Sequence, residues 1–146
     1  MDEILKASAG LRERRVPHTV IYMLEPRRFR TPRSDREKAR MAAPHLLAGL
    51  YPPSVPARIF VTHTRPESIM GILQPLHTGA ARTAALGYIN QGGTLSVPGM
   101  LFVNHCTWAH ILLDVARLLD MSVAGLLTDQ EMAAINGQAF PEGVIF

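Results

Sequence analysis

The hydrophobic pattern of the chain centres on residues 87–120, GYINQGGTLSVPGMLFVNHCTWAHILLDVARLLD. A short apolar strand breaks at Gly92-Gly93, and Ser96 with Pro98 then signals helix entry, because proline's fixed φ and missing N–H suit a first helical turn. From Met100 to Leu119, 14 of the 20 positions are apolar, and nothing in the sequence breaks the helix. Its polar positions Asn104, Thr107, His110, Asp114 and Arg117 recur at helical spacing, which predicts one narrow polar stripe on a largely buried helix.

The same periodicities divide the rest of the chain. Asp2 can cap a helix running to about Glu13, with Ile4, Leu5 and Leu11 on its buried face. Residues 16–24 (VPHTVIYML) predict a buried strand with Pro17 confined to its start. Ser34 caps a predicted helix from Asp35 to about Leu50, which Tyr51-Pro52-Pro53 stops. Residues 57–63 (ARIFVTH) form a second predicted strand, residues 66–73 a short helix entered through proline, and residues 84–90 a third strand. Thr128-x-x-Glu131 is a capping-box pattern that opens a last helix, closed by Asn136-Gly137, and the apolar tail QAFPEGVIF is expected to dock on the body. Strands alternating with helices at these lengths predict a single α/β domain, residues 1–146, with a mainly parallel sheet.

Composition narrows the class. An apolar fraction of 47% with 18% charged residues describes a globular chain. One cysteine excludes an internal disulfide and a cysteine-rich zinc site. The first ten residues, MDEILKASAG, are charged and amphipathic and do not read as a secretion signal, and no apolar run is long enough for a membrane span; the expected compartment is the cytoplasm. Residues 1–40 hold 11 basic and 6 acidic side chains, against 4 and 6 in residues 41–146. The basic excess lies in residues 27–40, RRFRTPRSDREKAR, where only Phe29 offers an aromatic ring, so a solvated loop is the favoured reading and nucleic acid the least favoured partner.

Two constellations could carry chemistry. In a parallel sheet His63 and Gly92-Gly93-Thr94 both follow the carboxyl ends of their strands, where open α/β sheets bind ligands. Backbone N–H groups at the start of the following helix favour an anion there, most simply phosphate or a sugar phosphate. Within the helix, Cys106 and His110 are four apart and raise a thiolate–imidazole pair, set against cysteine's frequent role as core filling. His105 points about 100° away from Cys106 around the helix, so no metal site converges from these residues. Asn104, His110 and Asp114 lie on the polar stripe and are candidate interface residues, with an ordinary surface ion pair as the competing account of Asp114 and Arg117.

Taken in order, these residues resemble the C-terminal domain of the thiamine-diphosphate-dependent phosphoketolases, relatives of transketolase. Residues 16–24 fall at that family's valine-rich strand, and Arg58-Ile-Phe-Val-Thr-His63 at its apolar strand ending in His. Gly87-Tyr88, Gly92, Met100, the spacing of Asn104, His110 and Asp114, then Gly137 and Pro141-Glu142 follow the family's pattern to near the C-terminus. The turn departs from it, because Gly93, Leu95, Val97 and Gly99 intervene, and His105, Thr107 and Trp108 replace the family's charged helix residues.

The resemblance implies a three-layer α/β/α fold like the transketolase C-terminal domain, lacking the family's first strand and so leaving a sheet edge exposed. It implies a separately encoded or remnant domain of a phosphoketolase-like aldehyde-lyase of carbohydrate metabolism, with no catalytic residue of its own. Thiamine diphosphate and Mg are expected only in domains outside this chain, which has no Gly-Asp-Gly motif with a downstream Asn to hold them. The implied partners are a second copy or a thiamine-diphosphate-binding subunit. The alternative is a stand-alone, non-catalytic module for a small anion or sugar phosphate.

Overall fold

The computed structural model describes residues 1–89 and 93–146. It is a mixed α/β structure in the order α1 (Asp2–Glu13), α2 (Asp35–Lys38), α3 (Pro44–Leu50), β1 (Arg58–Val61), α4 (Pro66–Ile72), β2 (Thr83–Leu86), α5 (Val97–Val103), α6 (Trp108–Leu118) and α7 (Asp129–Ile135), with short 3₁₀ turns at Pro26–Phe29, Gln74–Leu76 and Val123–Gly125. No described helix is long and apolar enough to cross a membrane.

The sheet among the described residues has two parallel strands, with Arg58 opposite Thr83 and Val61 opposite Leu86, joined through α4. Arg58, at the start of β1, turns its guanidinium inward. It donates to the carbonyls of Tyr51, Pro52 and Leu76, so it fastens the loop before β1 to the crossover. Residues 16–24 do not join the sheet. They have no strand partner among the described residues, and Val20, Tyr22 and Leu24 are exposed, the last two at 71% and 79%.

The core is built by α1 against α6. Ala7 and Leu11 pack with Ala109, Leu112 and Ala116, and Leu126, Leu127, Ala134 and Ile145 close the far side. Small residues let the two helices approach, so that a Cβ on Gly10 would stand 3.4 Å from Leu112 Cδ1. Ile59 and Val61 of β1 and Leu86 of β2 pack against this cluster. Of the expected α1 face Leu11 is buried and Ile4 half-buried, but Leu5 is exposed and Ala7 takes the inward position.

Two expected helices are each divided. Residues 35–50 form α2 and α3 because Pro44 pushes Ala43 into extended backbone, with φ −64° and ψ 145°, and then opens α3 itself. The long apolar helix becomes α5 and α6, broken at residues 104–107. His105 takes a left-handed φ of 56°, its N–H bonds Phe102 O, and Cys106 N–H bonds Leu101 O. That pair of reversed bonds ends a helix as a Schellman motif, a place usually given to glycine.

The same motif ends α1 at Arg15, where Arg15 N–H bonds Arg12 O and Val16 N–H bonds Leu11 O, while at Asp120, after α6, the outer bond from Met121 N–H to Ala116 O forms. Among the described residues glycine fills that place only at Gly137, after α7. The Thr128–Glu131 capping box forms with both reciprocal bonds, and the tail docks through Ile145, whose carbonyl accepts Trp108 Nε1–H at 2.8 Å. Phe146 stacks edge-on to Phe102, while Phe140 stays in solvent.

Candidate functional site

Parallel pairing puts the carboxyl ends of β1 and β2 side by side. Thr62 N–H bonds Leu86 O at 2.9 Å and Tyr88 N–H bonds Thr64 O at 3.2 Å, carrying the pairing beyond the strands. Gly87 permits this approach: a Cβ there would lie 2.3 Å from Thr64 O. His63 leaves β1 exposed, with its ring centroid 6.3 Å from that of Tyr88. Gly93 and Thr94 are exposed on the segment entering α5, and Gly92 lies outside the described residues.

The helix that follows gives this edge less than expected. α5 spans 7 residues instead of opening one long helix, so the dipole that a long helix would aim at an anion is curtailed. Ser96 Oγ accepts Gly99 N–H at 3.3 Å and Ser96 O accepts Met100 N–H, so the first turn spends part of its donor capacity on its own cap.

The polar stripe does not run along one exposed helix face. Asn104 is 1% exposed, accepts Ile89 N–H through Oδ1 and donates through Nδ2 to Met100 O. It therefore ties the exit of β2 to the end of α5. His110 is 6% exposed; its Nδ1 lies 2.7 Å from Thr107 Oγ1 and its ring stacks on His105 at 4.9 Å. Burial, then the neighbouring His105, lowers its pKa to about 4. Asp114 pairs with Arg117 at 2.8 Å, and burial raises its pKa against the pull of Arg117 and His105. As interface candidates, Asn104 and His110 are therefore committed to internal contacts, and Asp114 is the member of the three nearest to solvent.

Cys106 makes no pair with His110. Its thiol donates to Asn104 O at 3.2 Å, and burial pushes its pKa up to about 11, away from thiolate chemistry. Among the described residues no group of three or more His, Cys, Asp or Glu side chains is arranged to hold a metal ion.

The basic segment is partly neutralised within itself. Arg30 and Arg33 both reach Glu37, at 2.9 and 2.8 Å, and Arg28 reaches Glu25 at 3.4 Å. The hydrogen bonds from Arg33, with help from Arg30, hold the Glu37 carboxyl down at about 2. That clamp occupies two of the segment's arginines, Arg30 and Arg33.

One constellation carries no signal in sequence spacing. Ser8 on α1 and His18 beyond its end are ten residues apart, and their side chains meet at 2.7 Å. Only the reversal of the chain at Arg15 brings them together, and neither a motif nor a periodicity announces that. No protein-family model, no curated protein and no solved structure matches this chain.

Proposed function

We propose that the chain is a non-catalytic assembly domain, similar to the C-terminal domain of phosphoketolases, that works with thiamine-diphosphate-binding domains of another chain. The observation that carries the assembly part is the extended segment 16–24, which is apolar, joins no sheet among the described residues, and leaves Val20, Tyr22 and Leu24 in water. Such a segment is suited to pairing with a strand edge of another chain, where main-chain hydrogen bonds give affinity and alternate side chains fill pockets. Each apolar side chain of this kind contributes about 1.5–3 kcal/mol when buried at such a contact. In this reading β1 and β2 are the nucleus of a three-layer α/β/α arrangement like that of the transketolase C-terminal domain.

The phosphoketolase part rests on the residue pattern that begins at residues 16–24 and ends at Pro141-Glu142. In it the partner supplies thiamine diphosphate, Mg and the carbon–carbon cleavage, and this chain supplies contact surface. The test is sedimentation velocity at micromolar concentration, alone and with a phosphoketolase catalytic chain. Self-association or co-sedimentation is expected, with Tyr22→Ser and Leu24→Ser weakening it. A chain that stays monomeric in both arms overturns the reading. Calorimetry with thiamine diphosphate and Mg is expected to give no saturable binding to the chain alone.

A second reading has its own support in the carboxyl edge, where His63, Tyr88, Gly93 and Thr94 follow the paired strand ends. There the chain binds phosphate or a sugar phosphate weakly, through the His63 imidazole, the Thr94 hydroxyl and nearby N–H groups. Phosphate titration followed by amide shifts tests it; shifts confined to residues 27–40 reject the edge.

A further inference from the structure

The strongest unassigned feature lies at the end of α1, where an open cleft of about 610 Å³ forms between the helix and the chain that folds back from it. That volume falls within the range of small-molecule sites. Leu5, Ser8 and Arg12 line it from one helix face, being three and four residues apart, and Arg15, Val16, His18 and Val20 line it from the returning segment. The walls are apolar at Leu5, Val16 and Val20, and among the described residues no acidic side chain lines the cleft.

The polar groups are ordered. His18 Nδ1 lies 2.9 Å from Val16 O, and a carbonyl can only accept, so in the neutral ring Nδ1 carries the proton. Nε2 then accepts from the Ser8 hydroxyl at 2.7 Å. This chain of bonds fixes the imidazole and aims the Ser8 hydroxyl, leaving the oxygen's acceptor side free.

Arg14, the arginine between the two that line the cleft, reaches the carbonyls of Gly10 and Gly125 and the carboxylate of Glu13. Arg12 and Arg15 have no ion pair among the described residues. Arg15 is also held in left-handed backbone, φ 57°, at the turn that creates the cleft. Two unneutralised guanidiniums beside an apolar wall form a complementary pair of surfaces: one for an anionic head, the other for a hydrocarbon body.

We propose that this cleft binds an amphiphilic organic anion, a carboxylate or phosphate head on a short apolar body, with Arg12 and Arg15 on the head and Leu5, Val16 and Val20 on the body. His18 and Ser8 set the polar end of the cleft.

The test uses the full chain with octanoate, octyl phosphate, 1-octanol and inorganic phosphate, followed by amide shifts and the His18 ring signals. Saturable shifts at Leu5, Ser8, Val16 and His18 are expected with octanoate or octyl phosphate, and the tighter of the two names the head group. Octanol and inorganic phosphate are expected to bind at least about tenfold more weakly, since each lacks one half of the complement. Arg12→Gln and Arg15→Gln change exposed side chains and are each expected to cost about tenfold in affinity. Absence of shifts at these residues, octanol binding equal to octanoate, or affinity indifferent to both arginines overturns the proposal.

Discussion

The carboxylate of Glu3 accepts the backbone N–H of Trp108 at 2.9 Å, so the first turn of α1 caps the first turn of α6 across 105 residues of sequence. The N-cap residue of α6, Thr107, makes no side-chain cap because its hydroxyl faces His110. Glu3 takes over that duty and also holds Lys6 at 2.9 Å. Glu3→Ala is therefore expected to lower stability by about 1–2 kcal/mol, as loss of a cap does, and to loosen the α1–α6 contact. Urea unfolding measures the first, and amide exchange at Trp108 the second. A change confined to α1 exchange would mean that the cap carries nothing.

His110 sets a pH dependence whose sign follows from its burial. Its folded pKa, about 4, lies below the ordinary 6.5, so between those values the unfolded chain takes up a proton that the folded ring refuses. The stability tied to this group is complete above 6.5 and is lost as pH falls towards 4, with a ceiling of about 3 kcal/mol. Facing groups are His105, stacked on the ring, Phe102 at 5.3 Å, and Asp114 one turn along. Asp114 acts oppositely and lower, since its raised pKa lets the folded chain keep a proton that the unfolded chain loses above 3.8. His110→Gln should flatten the slope of unfolding free energy between pH 4 and 6.5. Parallel wild-type and variant slopes would refute the assignment.

Cys106 should be inert. With its thiol buried and its pKa near 11, alkylation by iodoacetamide at neutral pH should proceed at the rate of global unfolding. Modification much faster than unfolding would show that the α5–α6 junction opens by itself.

Gly87→Ala should be among the more damaging single changes. The new methyl group would meet a backbone oxygen, Thr64 O, at 2.3 Å, and neither strand exit can yield without breaking the Tyr88–Thr64 bond. A loss of about 1–3 kcal/mol is expected, as for overpacking elsewhere, with exchange rising at Tyr88.

Asp120→Gly should do the reverse. Asp120 sits at a left-handed φ of 53°, and its ion pair with Arg82, at 3.7 Å, is exposed. Relief of backbone strain, about 1 kcal/mol, should outweigh loss of that pair, and the thermal midpoint should rise.

Sequence by itself determined the local signals. Pro66 and Thr128-x-x-Glu131 open helices where they stand, Tyr51-Pro52-Pro53 ends α3, and the apolar runs at Arg58–Val61 and Thr83–Leu86 are strands, because each signal acts through backbone atoms within a few residues. What tertiary structure decided is where helices stop without glycine or proline, and which apolar segments find a partner. Arg15, His105 and Asp120 adopt left-handed backbone that their side chains do not favour, so packing on both sides must hold them there. The break at His105 turns an expected surface stripe inward, burying Asn104 and His110. The reversal at Arg15 joins Ser8 to His18 and leads into residues 16–24, whose strand-like composition cannot by itself supply a neighbour. A strand needs hydrogen-bond partners from elsewhere, and composition carries no information about whether the rest of the chain provides them.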